Sequence, residues 1–146
     1  VRLGKDEIAR LVPHSGAMCL LDEVLEWNEV RIVCLARSHR DAGNPLRDPS
    51  SLPALAGIEY AGQAMAAHGA LCDSGARRRT GYLVSVRDVA LEVTRLDDVE
   101  EDLMVSAARL SPPGTELLYD FHLQADGRSL VSGRALVVLR ERAEAS

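Results

Sequence analysis

The stretch from Pro53 to Cys72, PALAGIEYAGQAMAAHGALC, decides how the rest of the chain must be arranged. It contains no Lys or Arg and almost no β-branched residue. Small and apolar side chains occur on nearly every side of the helix it would form. That pattern predicts a buried helix rather than a surface helix with a single apolar stripe. Pro53 suits a first helical turn, where its missing N–H costs nothing. Ser50 and Ser51, just before it, are candidate caps. Glu59, Gln63 and His68 interrupt the apolar run too often for a membrane span.

The flanking segments say what buries this helix. Residues 5–12 carry apolar side chains at helical spacing and stop at Pro13, because a residue before proline disfavours the helical region. Residues 18–38 read as two strands joined at Asn28-Glu29. Residues 40–52 form a polar loop that is long for a passive connection and is expected to line a site. After the basic run Arg77-Arg78-Arg79 come four expected strands, at about 81–95, 102–110, 115–124 and 129–140. Pro112-Pro113-Gly114 and Asp126-Gly127 mark turns between them. There is no internal repeat. The order predicts an α+β fold, one long central helix wrapped by one curved antiparallel sheet. A single domain is expected over 1–146, with a disordered tail at 141–146. One sheet covers only part of such a helix, so a second subunit is expected to cover the rest.

Composition narrows the class. The 146 residues carry a net charge of -5, which argues against non-specific nucleic-acid binding. No apolar run approaches the roughly 18 residues of a membrane span, and residue 1 onward shows no basic-then-apolar signal peptide. Cys19, Cys34 and Cys72 are widely spaced with no CxxC pair. They read as free, buried thiols in a reducing compartment, so a cytoplasmic location is expected. No histidine pair has metal-ligand spacing, and no GxSxG, P-loop or GxGxxG is present. No metal and no organic cofactor are expected.

Glu59 is the residue these patterns do not explain. A carboxylate on an apolar helix is costly to desolvate unless it is paired or functional. Burial would favour its protonated form, which suits a group that holds or delivers a proton near neutral pH. Gln63 lies one turn on, on the same face, and could orient the carboxyl. His68, nine residues from Glu59, falls on the opposite face and reads as a core or interface histidine.

Two segments in this order resemble the hot-dog-fold 3-hydroxyacyl-carrier-protein dehydratases. Leu11 to Val24, LVPHSGAMCLLDEV, resembles the family's opening L-x-P-H-x-x-x-(F/M)-L-L-x-D-x-V, with the spacing from His14 to Asp22 intact. Pro53 to Ala64 resembles the family's helix pattern P-G-x-x-x-x-E-x-x-x-Q-A through Glu59, Gln63 and Ala64. Weaker similarity runs through Gly81 to Val86, like the strand that lines the acyl tunnel, and through Ala125 to Val131, like the closing hairpin. The branch that looks nearest is the short dehydratase-like proteins of aryl-polyene-type pathways.

The resemblance implies dehydration of 3-hydroxyacyl thioesters on acyl carrier protein to trans-2-enoyl thioesters. It implies Glu59 as the acid/base carboxyl and a backbone N–H near Ala54 as the donor to the thioester carbonyl. It also implies Val84 and Ser85 on the tunnel strand, with Asn44 and Asp48 in the loop beside the substrate. Arg77, Arg78 and Arg79 are the expected docking patch for the acidic carrier protein. One departure is plain. The family's H-F-P-G loop places a catalytic His fourteen residues before the Glu, where this chain has Pro45. Aligned by its prolines, the loop puts Asp48-Pro49 there instead. Three readings follow: His14 supplies the imidazole; Asp48 or His39 substitutes for it; or the chain is a binding or pairing partner of a related active subunit, as a homo-oligomer or heterodimer. A hot-dog thioesterase is the other enzyme class.

Overall fold

A computed structural model describes residues 2–12, 18–73 and 79–141. His14, Arg77, Arg78 and the tail beyond Glu141 therefore lie outside the described residues. The elements follow the expected order: α1 (Lys5–Leu11), β1 (Glu23–Trp27), β2 (Arg31–Ala36), α2 (Gly57–Cys72), β3 (Arg79–Leu91), β4 (Leu103–Arg109), β5 (Glu116–Ala125) and β6 (Arg128–Glu141). The six strands form one antiparallel sheet in the order β1-β2-β4-β5-β6-β3. α2 packs against β2 to β6. This is the hot-dog arrangement. Among the described residues, no helix is long and apolar enough to cross a membrane.

Strand patterning explains the wrap. Leu117, Tyr119, Phe121, Leu123 and Ala125 alternate along β5 and are buried, while the residues between them are partly or fully exposed. Gly57 lets the helix lie directly on the sheet: a Cβ there would come 3.1 Å from both Leu123 Cδ2 and Val131 Cγ2. The β5–β6 hairpin closes through Asp126 (φ 48°) and Gly127 (φ 75°), the left-handed pair that a two-residue turn requires.

Two expectations need correction. Ser50 and Ser51 do not cap the helix. Their backbone amides donate to Asp48 Oδ1 at 2.9 and 2.7 Å. The helix instead opens through a 3-10 turn, Ala54–Ala56, with no side-chain cap. Nor is Glu59 buried within its own subunit. It is exposed, as is Leu55 at 59%. The chain's own sheet leaves this side of the helix open. β3, at the sheet edge, is also uncovered, with Tyr82, Leu83, Val84 and Leu91 all exposed. Cys19 and Cys34 are buried, Cys72 is partly so, and all three are free. Burial pushes the Cys34 thiol up to about 12.

Candidate active site

Leu55, in the 3-10 turn that opens α2, and Glu59 and the partly exposed Gly62 within it recur at about one-turn intervals and form the least covered stripe of the helix. β3 runs beside it: a Cβ on Gly62 would lie 4.0 Å from Leu83 Cδ2. Val84 is the extra residue of a bulge, between Leu83 opposite Val137 and Ser85 opposite Leu136. Helix stripe and edge strand thus meet at Gly62 and Leu83, with the exposed Glu59 one turn earlier on the helix.

The amide expected at Ala54 is already engaged. Ala54 N–H donates to Thr94 O at 3.1 Å, within a short bridge that pairs Pro53 with Arg95. The next amide, Leu55 N–H, has no acceptor among the described residues. It stands in the first turn, where amides lack intrahelical partners and the helix end carries partial positive charge. Spacing alone could not separate these two amides, because the Thr94 contact is a long-range pairing.

Gln63 is buried and does not orient Glu59. Its Oε1 accepts from Leu20 N–H at 2.8 Å, and its Nε2 donates to Met18 O at 2.5 Å. The side chain thus fastens α2 to the 18–20 segment. Asn44 is likewise spent inside the fold. Its Nδ2 donates to Ser38 O and to Tyr60 Oη, both at 2.9 Å, and its Oδ1 accepts from Leu46 N–H. Tyr60 Oη and Ser38 Oγ lie 2.7 Å apart, and Ser38 Oγ donates to Leu20 O at 2.7 Å. That fixes the chain of donors as Asn44 to Tyr60 to Ser38 to Leu20. Asp48 is exposed and organises its own turn, and the Ser50 and Ser51 amides hold its carboxyl below the usual range.

The described histidines are all committed elsewhere. His39 is buried. Its Nε2 lies 3.0 Å from both Val99 O and Glu101 O, and burial lowers its pKa. His68 is buried between Tyr119 Oη, 2.6 Å from Nδ1, and Asn28 O, 2.8 Å from Nε2. The two partners fit the Nε2–H tautomer, and burial lowers the pKa of the ring. It is the core histidine that its place on the helix predicts. His122 pairs with Ser129 Oγ at 2.8 Å in the β5–β6 hairpin. Among the described residues, no imidazole joins Glu59 on the open stripe. Arg79 is held by Asp73 through Nε and Nη2 at 3.0 and 3.1 Å, closing the connection from α2 to β3.

The sequence matches the model of the ApeP-like family, described as ApeP dehydratase, over residues 6–145. The chain belongs to the ApeP-like dehydratase family. A comparison with curated proteins finds no match. Among solved structures, this ApeP-like chain is similar to the dehydratase heterocomplex ApeI:P from Xenorhabdus doucetiae, with 22% identity and a TM-score of 0.78 over 91% of this chain and 90% of that one. It is also similar to a thioesterase from Haemophilus influenzae (10% identity, TM-score 0.69, 97% and 94% coverage) and to AziG from S. sahachiroi (16%, 0.67, 91% and 100%). At these identities the structures share the fold alone.

For an ApeP-like dehydratase, the open stripe offers two chemical tools. The Glu59 carboxyl can exchange a proton with a bound molecule. Leu55 N–H, aided by the helix end, can donate to an oxygen that gains negative charge. Leu83, next to Gly62, supplies an apolar neighbour.

Proposed function

We propose that this chain dehydrates 3-hydroxyacyl thioesters carried on acyl carrier protein, with Glu59 as the acid/base carboxyl. The observation that carries this is the open stripe of the helix, where Glu59 stands one turn after the Leu55 amide, which has no acceptor among the described residues, and where β3 approaches at Gly62. The thioester oxygen takes a hydrogen bond from Leu55 N–H, which makes the α-proton more acidic. A base removes that proton. Glu59 protonates the departing 3-hydroxyl, which leaves as water, and a trans-2-enoyl thioester remains. Leu83, Val84 and Ser85 border the acyl channel. The aryl-polyene setting of the resembling proteins makes an unsaturated, growing chain the fitting substrate.

The base is proposed to come from a second hot-dog subunit docked on β3. Two observations favour this over a self-sufficient chain. Every described histidine is committed away from Glu59. A long edge strand bearing Tyr82, Leu83, Val84 and Leu91 is also a surface that proteins cover. His14 is the remaining candidate within the chain. Arg77 and Arg78, with Arg79 already paired to Asp73, are proposed to attract the acidic carrier protein in a salt-sensitive way.

The test uses a 3-hydroxyacyl chain loaded on carrier protein. It is incubated with this chain alone and then with a related hot-dog subunit that holds a complete His and Glu, and loss of one water is followed by mass spectrometry. Turnover that requires both chains and disappears in Glu59→Gln supports the reading. Turnover by this chain alone that is lost in His14→Ala assigns the base to His14. Release of the free acid instead of the enoyl product identifies a thioesterase. Full turnover in Glu59→Gln overturns the assignment.

A further inference from the structure

Three groups of contacts converge just before α2, and one carboxylate joins them. Asp97, with its side chain only 8% exposed, sits in the connection between β3 and β4. Its Oδ1 accepts from Leu52 N–H at 2.9 Å and from Arg95 Nε at 3.0 Å. Its Oδ2 takes Arg95 Nη2, and Arg47 Nη1 lies 3.5 Å away. Leu96 N–H returns a bond to Leu52 O at 2.8 Å, and Ala54 N–H bonds Thr94 O at 3.1 Å. Arg95 Nη2 also reaches Ser50 O at 3.4 Å. The backbone from Ser50 to Ala54 is therefore stitched to 94–97, and the stitching ends one residue before Leu55.

We propose that Asp97 is a positioning residue for dehydration, fixing the first turn of α2 so that Leu55 N–H and Glu59 meet the substrate in one geometry. The inference rests on the reading of the site given above. The helix has no side-chain cap of its own, so nothing within α2 sets where its first turn begins. Asp97 supplies that reference from outside. The Arg95 guanidinium, with the Leu52 and Asp97 backbone amides, holds its carboxyl far below the usual range, so it remains an anionic acceptor throughout the neutral region. Arg47 and Leu52 lie at either end of the Asp48 turn, so the same carboxylate also fixes the loop that leads into the helix. A small displacement of the amide would weaken its bond to the developing oxyanion more than its bond to the ground-state carbonyl.

The experiment compares Asp97→Ala and Asp97→Asn with the wild-type chain, each in the complex that shows turnover. Asp102→Ala, which removes an ion-paired carboxylate on the Arg37–Arg40 side, is the control. Steady-state kinetics and amide hydrogen exchange are measured together. Asp97→Ala should lower kcat by about 10–100-fold with KM little changed, the scale of a modest misplacement. Exchange at residues 52–55 should speed up while the strand core keeps its protection. Asp97→Asn keeps an acceptor for Leu52 N–H but loses the charge-assisted bonds to Arg95, so it should show both changes in smaller measure, and it carries the test if the Ala variant fails to fold. A kcat at wild-type level in a folded Asp97→Ala or Asp97→Asn chain overturns the inference. So does a rise in KM alone, or exchange that accelerates throughout the sheet. Absence of dehydration by the wild-type complex would instead remove the dehydratase reading itself.

Discussion

Glu59 and Gln63 sit one turn apart on the same helix, and their surroundings are opposite. Gln63 is enclosed, and both ends of its amide are spent on the backbone of residues 18–20. Glu59 is exposed, with no hydrogen-bonding partner among the described residues. The same contrast runs along α2. Its covered side holds Tyr60, Gln63 and His68, each with a defined partner. Its open side holds Leu55, Glu59 and Gly62. A buried polar group that is fully satisfied is doing structural work. A charged group left open beside an apolar edge marks where something else must bind. Chemical character alone did not separate the two: both residues are polar side chains on an apolar helix.

The largest effect expected on the open side is catalytic. Glu59→Gln keeps the shape and removes the proton, so dehydration should fall by about 10²–10⁴-fold, the usual contribution of a general acid or base. The melting temperature should hardly move, because the carboxyl is exposed. A large fall in stability would mean that Glu59 belongs with Gln63 after all. The next effect concerns the edge. Val84→Asp places a charge on the strand proposed to pair with a second subunit, and should weaken subunit association by tenfold or more, about 1.4 kcal/mol or above. Native mass spectrometry or sedimentation would read it. Unchanged association would move the partner off β3.

On the covered side the expectation reverses. Gln63→Leu fills the space but leaves Leu20 N–H and Met18 O without partners, at a cost of about 2–3 kcal/mol. Urea unfolding should show a lower midpoint with the same slope. A neutral result would show that water replaces the amide. Gly133→Ala tests the opposite face of the core. Its Cβ would fall 2.7 Å from Phe121 Cζ, and overpacking of that kind costs about 1–3 kcal/mol.

Much of this architecture is legible in the sequence because it depends on local pattern. The lysine-free helix, the alternation in β5 and the Asp126-Gly127 turn each dictate their element from neighbours in the chain. His68 could be assigned to the covered side from helical angle alone. The site was less legible because it depends on long-range contacts and on a partner. Helical spacing puts Gln63 one turn from Glu59, but it carries no information about Leu20 N–H, forty-three residues earlier, which draws the side chain into the core. Asn44 looked like a loop residue free to meet substrate, yet Tyr60 and Ser38 claim it. Asp97 gave no signal, since one aspartate in an acidic run looks like solvated charge until Leu52 and Arg95 are folded against it. The exposure of Glu59 has a different origin. Apolarity all round the helix announces that it will be covered, without saying which subunit does the covering.

The smallest expected effect separates covered from open by pH. His39 and His68 are both buried with pKa values lowered chiefly by desolvation. Around His39, Arg40 lowers the value further, while Asp102 and the Val99 and Glu101 carbonyls oppose that. Around His68, Arg109 lowers it and the Asn28 carbonyl opposes. Unfolded imidazoles titrate near 6.5. Below that pH the unfolded chain takes up protons that the folded chain refuses. Stability is therefore full above about 6.5 and declines as pH falls toward the folded values, by at most about 1.4 kcal/mol per pH unit for each ring. Urea midpoints measured between pH 7.5 and 5.5 should fall accordingly, and a His39→Gln/His68→Gln chain should lose most of that slope. The Glu59→Gln chain should keep the whole slope, because the carboxyl on the open side takes no part in holding the helix down. If Glu59→Gln flattened the curve instead, the open and covered sides of α2 would be coupled, and the division between a structural and a chemical face of this helix would fail.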